Sequence, residues 1–183
     1  MALEMRADAH ENRQRILAVA ADALEGDSAV SLNAIAKRAG VGPGTLYRHF
    51  PDREALVMAV YRHDVTELVA SAEELLVGAS PVDALRTWCL RLGRFGLVKH
   101  GLTEVLRATT SEQLHGESYG PVVRALDTIL GAGARAGALR SDIAPEELLL
   151  VLGFLWRLEP GPDWEDRAGI LLDVVIAGLE ARD

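Results

Sequence analysis

The chain has 183 residues, 27 acidic and 19 basic, for a formal net charge of −8; 49% are hydrophobic and 25% charged, close to the globular average. That balance excludes a disordered chain, a collagen-like repeat and a disulfide scaffold, and the single cysteine, Cys89, has no intrachain partner. The most apolar stretches, 148–156 and 170–179, are shorter than the roughly 20 residues of a membrane-spanning helix, and the first ten residues carry Glu4, Arg6 and Asp8 without the apolar run of a secretion signal, so a cytoplasmic location with no membrane partner is expected.

Every periodic segment repeats at the helical spacing and none alternates like a strand, which predicts an all-α fold of about nine helices. Ile16, Leu17, Ala20 and Leu24 stripe a first helix near residues 10–25 that stops at Gly26. Ser31 is placed to cap a short second helix, buried through Leu32, Ile35, Ala36 and Ala39 and ended by Gly40. Gly42 then occupies an N-cap position and Pro43 the first helical position, so a third helix follows almost at once and the two must cross steeply. In this third helix, residues 43–50, Leu46 and Phe50 are one turn apart and face the core. Thr45, Arg48 and His49, with Tyr47 at the edge, are left on a polar, aromatic and basic face. The local charge agrees: between Lys37 and Arg62 five basic residues stand against Asp52 and Glu54, or +3, while residues 64–183 hold all of the excess acid.

Pro51 ends the third helix, and Asp52 is placed to cap a fourth of about 25 residues, running through Leu56, Val60 and Leu68 to a stop at Gly78. Ser80, Pro81 and Asp83 signal another start, followed by the stripe Leu85, Trp88, Cys89, Leu92 and Phe95. A short helix near 102–108, a polar loop over 109–120 and a helix opened by Pro121 are expected next. Pro145 opens another helix through Trp156, and a last one spans 163–180. These last two are apolar on more than one face, so a second copy of the chain is expected to cover them in a homodimer closed by a four-helix bundle. Leu148, Leu152, Leu171, Leu172, Val175 and Leu179 are the candidate dimerisation residues.

Residues 31–50 followed by 52–56 resemble the DNA-binding domain of the tetracycline-repressor (TetR) family of bacterial transcriptional regulators. The match is carried by Ile35-Ala36-x-x-Ala39-Gly40-Val41, by Gly44-Thr45-Leu46-Tyr47-x-His49-Phe50 and by Arg53-Glu54-x-Leu56. The resemblance implies a helix-turn-helix domain over residues 1–53 and an effector-binding and dimerisation domain over 54–183. It further implies a dimeric repressor, bound to double-stranded DNA at a pseudo-palindromic operator and released by a small molecule. Carried over by position, Thr45, Tyr47 and His49 are expected to contact phosphates or bases, and Ser31 and Arg53 phosphates. Gly42, Pro43, Gly44 and Arg48 are candidates for sequence readout, with Arg48 able to pair bidentately with guanine. Trp88, Leu92, Phe95, Leu126, Phe154 and Trp156 are candidates to line a cavity for an apolar or aromatic effector. No cofactor or metal is expected.

Two other sequence patterns resemble functional motifs. Gly116-Glu117-Ser118-Tyr119-Gly120 matches the G-x-S-x-G elbow of serine hydrolases, although no strand precedes it, so a small hydrolase using Ser118 is one alternative reading, and an all-helical ligand-binding module without DNA binding is the other. The glycines at 131, 133 and 137 are spaced wrongly for a dinucleotide loop and suit close helix packing.

Overall fold

The computed structural model describes residues 2–26, 30–103 and 108–181, with side chains for 11–24, 30–96 and 115–181. Eight α-helices account for about four fifths of them: α1 (Ala2–Gly26), α2 (Leu32–Arg38), α3 (Pro43–His49), α4 (Arg53–Gly78), α5 (Pro81–Thr103), α6 (Ala108–Arg135), α7 (Pro145–Val151) and α8 (Trp164–Leu179). A 3-10 turn, Leu152–Trp156, continues α7. Among the described residues the β structure is one isolated antiparallel bridge, between Leu139 and Glu180. The all-α expectation is thus met. The chain divides into two compact units, Met1–Asp64 with Val98–Leu114, and Val65–Leu97 with His115–Asp183.

In the first unit α2 packs on both α1 and α3. Ile16, Leu17 and Ala20 from α1, Ile35 and Ala36 from α2, Leu46 from α3 and Leu56, Val57 and Val60 from α4 are all buried. The caps are those the sequence signals. Ser31 Oγ accepts from the Ala34 N–H at 3.2 Å, and Asp52 Oδ1 accepts from the Ala55 N–H at 2.7 Å. Gly40 has φ +66°, which lets the Val41 N–H reach Ala36 O at 3.0 Å and the Gly40 N–H reach Lys37 O at 3.2 Å, closing α2 in a Schellman motif.

The second unit is built around Trp88, Leu92, Leu126, Ile129, Leu152, Leu155 and Leu172, all buried. Trp88 donates its indole N–H to Leu68 O at 2.9 Å, so its polar atom is satisfied within the core. Ser80 caps α5, its Oγ accepting from the Asp83 N–H at 3.1 Å while its hydroxyl donates to Asp83 Oδ2 at 2.6 Å. Leu139 folds onto Gly133 where a β-carbon would collide with it, so Gly133 serves close packing, whereas Gly137 serves the turn after α6 with φ +67°. Arg140 N–H donates to Leu179 O at 2.8 Å and Ala181 N–H to Ala138 O at 3.2 Å, tying the end of α8 to the segment after α6.

Two expected elements are corrected. The polar loop over 109–120 is helical, and Pro121 lies inside α6 rather than at its start. A proline in a helix removes one N–H and crowds one carbonyl, and the remaining hydrogen bonds of a 28-residue helix carry it through that defect. The short helix expected near 102–108 is divided: Leu102 and Thr103 end α5, Ala108 begins α6, and residues 104–107 lie outside the described residues. The expected helix from Pro145 to Trp156 tightens into the 3-10 turn after Val151.

Candidate nucleic-acid interface

Helix α3 is short because Gly42 and Pro43 start it and the extended backbone of Phe50 stops it seven residues later. Its apolar side is anchored by Leu46 and Phe50, 0% and 2% exposed. Gly42, Pro43, Gly44, Tyr47 and Arg48 are exposed, and Thr45 and His49 half-buried. Neither α2 nor α3 contains an Asp or Glu, and α2 ends on Lys37 and Arg38, both exposed. The face around α3 is therefore basic, aromatic and free of its own carboxylates.

Two contacts stiffen this surface beyond what the sequence motif conveys. The Arg13 guanidinium lies 5.4 Å from the Phe50 ring centroid, a cation–π contact to the residue that ends α3. Arg53 Nη1 donates to Val30 O, tying the start of α4 to the residue before the Ser31 cap. Arg53 is thus fixed at the edge of the face. Ser31 is exposed, and its hydroxyl hydrogen remains available while its oxygen caps α2.

The candidate effector residues divide. Trp88, Leu92 and Leu126 are fully buried members of the core, and Phe95, Phe154 and Trp156 are half-buried against it. A surface groove of about 420 Å³ lies between α5 and α8, lined by Arg86, Leu90, Glu165, Asp166, Gly169, Ile170 and Asp173. Arg86 bridges it through paired hydrogen bonds to Asp173 at 3.0 and 3.1 Å. The dimerisation candidates divide too: Leu148, Leu152, Leu172 and Leu179 are buried in the protomer itself, Val175 is half-buried and Leu171 exposed. The exposed apolar residues of α7 and α8 are Leu150, Val151, Ile170, Leu171 and Val174. Sequence periodicity could not choose between the two sides because both are apolar.

Ser118 lies within α6 and is buried, its hydroxyl donating to His115 O at 3.2 Å. A nucleophile elbow requires a strand and a sharp turn at that serine. A continuous helix with the hydroxyl bonded back to its own backbone removes that geometry. Burial pushes the Cys89 thiol up to about 12, so it is protonated and inert near neutral pH. Among the described residues no three His, Cys, Asp or Glu side chains gather as a metal site. No described helix is long and apolar enough to cross a membrane.

Residues 16–60 match the family model of bacterial regulatory proteins, tetR family, and residues 80–181 match that of the transcriptional regulator SbtR-like C-terminal domain. A solved TetR transcriptional regulator from Streptomyces coelicolor is 37% identical, with a TM-score of 0.85 over 93% of this chain and 99% of its own. A TetR transcription regulatory protein from Mycobacterium vanbaalenii is 32% identical, with a TM-score of 0.78 over 97% and 99%. An HTH-type transcriptional regulator of Staphylococcus aureus is 42% identical over 73 residues, 39% of this chain and 40% of that protein. The match thus spans about 40% of the length of such curated relatives. Both halves of the sequence and the fold agree, and the chain belongs to the tetR family of bacterial transcriptional regulators.

Proposed function

We propose that the protein is a transcriptional repressor that binds a pseudo-palindromic operator as a homodimer and is released by a small molecule held among its C-terminal helices. In this reading residues 1–53 bind DNA and residues 54–183 bind the effector and dimerise. The observation that carries it is α3: a seven-residue helix buried through Leu46, without a carboxylate of its own, with Tyr47 and Arg48 outward. A helix held in this way enters a major groove. Gly42 and Gly44 support the reading in a second way. Neither has a positive φ, and a β-carbon at either would meet nothing within 4 Å, so the fold does not demand glycine there. The open space there leaves room for a phosphate backbone to approach closely.

Arg48 reads a base edge, Tyr47, His49 and Thr45 contact bases or phosphates, and Ser31 and Arg53 position the duplex. Pro43 sets the approach of the leading end. The exposed apolar residues of α7 and α8 supply the contact with a second copy, and the function requires a cytoplasmic location. Salt dependence separates this repressor from an all-helical ligand-binding protein. If a dimer neutralises about six to ten phosphates, affinity for duplex DNA falls roughly 10³ to 10⁵-fold between 50 and 200 mM salt. A flat response would refute DNA binding.

A further inference from the structure

Phe50, the C-cap of α3, carries a cation from another helix on its ring. The ring is 2% exposed and fixed by the core of the first unit, and the guanidinium of Arg13, an exposed residue of α1, stands 5.4 Å from its centroid. An aromatic ring accepts no conventional hydrogen bond, so this contact restrains the guanidinium while its N–H donors stay unspent. Among the described residues no acceptor takes them up, whereas Arg15, two positions on, is bonded to Asn12 Oδ1 at 2.5 Å and Arg53 to Val30 O.

The carboxylates nearest in sequence do not cancel the charge. Glu11 lies two residues away on α1, about 200° round the helix, and forms no ion pair with Arg13. Asp52, two residues after Phe50, uses Oδ1 to cap α4, accepting from the Ala55 N–H at 2.7 Å. Lys37, Arg38 and Arg48 are likewise exposed, with no acidic partner among the described residues of a chain whose net charge is −8. An exposed guanidinium that is restrained, uncompensated and set beside the end of α3 is a prepared fork for the two anionic oxygens of a phosphodiester.

We propose that Arg13, held on the Phe50 ring, is a phosphate-binding residue of the operator interface, pairing with one backbone phosphate per half-site and fastening α1 and the end of α3 to the duplex together. This rests on the DNA-binding reading and adds a contact from α1, outside residues 31–56. A phosphate contact fixes the register of α3 on the duplex and carries no base preference of its own.

The test measures, by fluorescence anisotropy between 50 and 200 mM salt, the affinity of the full-length protein for a duplex it has selected from random sequence and for an unrelated duplex. The variants are Arg13→Ala, Arg13→Gln, which retains a stem against Phe50, and Arg13→Lys, which retains the charge. Arg91→Ala, an exposed position on α5 in the other unit, controls for net charge. Each neutralised phosphate contributes about 0.9 to the slope of log affinity against log salt. Losing one per protomer of a dimer therefore makes the slope about 1.8 shallower and the fall across that fourfold salt range about 12-fold smaller. Both neutral variants should show this change, weaken the two duplexes by a similar factor, and leave sequence preference and helical content unaltered. Arg13→Lys should keep the parent slope, and Arg91→Ala should match the parent.

The proposal is overturned if both neutral variants keep the parent slope, if Arg13→Lys or Arg91→Ala shallows it as much as they do, or if the loss is confined to the selected duplex, which would make Arg13 only a brace for Phe50. A parent protein whose affinity ignores salt refutes the DNA-binding reading itself. A steep parent slope that the neutral variants do not move refutes this contact alone.

Discussion

Val174→Asp should separate the proposed dimer without disturbing the protomer, whereas Leu172→Asp, two residues away, should unfold it. Val174 and Ile170 are 71% and 66% exposed on α8, and Leu150 and Val151 are 81% and 54% exposed on α7. With complete burial of such side chains worth about 1.5–3 kcal/mol, covering the exposed fractions contributes roughly 1–2 kcal/mol each. Twofold symmetry doubles the sum to about 8–16 kcal/mol, enough to offset an association cost of about 4–15 kcal/mol and hold a dimer. An Asp at position 174 removes two of those contributions and buries two unpaired carboxylates across the symmetry axis. At several kcal/mol per buried charge the dimer should weaken more than about 10³-fold. In the separate protomer the same Asp stays in water. Leu172 is 0% exposed within the protomer, so its replacement by Asp puts the charge into the core and costs roughly 3 kcal/mol or more of folding stability. Sedimentation equilibrium at micromolar concentration, with thermal melting by circular dichroism, reads both. A Val174→Asp protein that remains dimeric, or a Leu172→Asp protein that melts like the parent, would refute this placement of core and interface.

Tyr47→Ala combined with His49→Ala should abolish specific DNA binding, measured by fluorescence anisotropy, and leave helical content unchanged because Tyr47 is exposed and His49 only half-buried. Leu46→Ala should lower stability by about 2–5 kcal/mol, since it empties a fully buried position under α3, and denaturant titration reads the loss. Gly40→Ala should cost roughly 1 kcal/mol in the same assay, because φ +66° strains any side chain. Cys89 should react with a thiol reagent at pH 8 about 10³-fold more slowly in the folded than in the unfolded chain, its thiol being held near 12 against an ordinary 9.0. The sign follows from the raised value: any stability due to this thiol is complete below pH 9 and is lost as pH rises towards 12.

The N-terminal half of the fold was legible because its signals are local. Ser31, Gly40, Gly42, Pro43 and Asp52 each act within a few residues, and each appears in the structure where its chemistry placed it. The C-terminal half was less legible because its signals conflict. Pro121 reads as a start, yet the helix continues through it, and the polar residues before it read as a loop until Ser118 is seen bonded back to His115 O. The dimerisation candidates mixed two faces of α7 and α8, since Leu, Val and Ile occupy both and only packing tells Leu172 from Val174. The fitting of Trp156 and Trp164 onto Gly93 and Gly96 joins residues some 60 to 70 positions apart, and nothing in local periodicity links them.

Selection of binding sites from randomised duplex DNA by the purified protein, near about 150 mM salt, tests the central claim most directly. The account predicts a pseudo-palindrome with half-sites set by the two α3 helices of a dimer, and loss of that sequence with Tyr47→Ala and His49→Ala together. Recovery of no sequence, or of the same sequence by the double variant, would contradict the assignment of α3 as the reading helix.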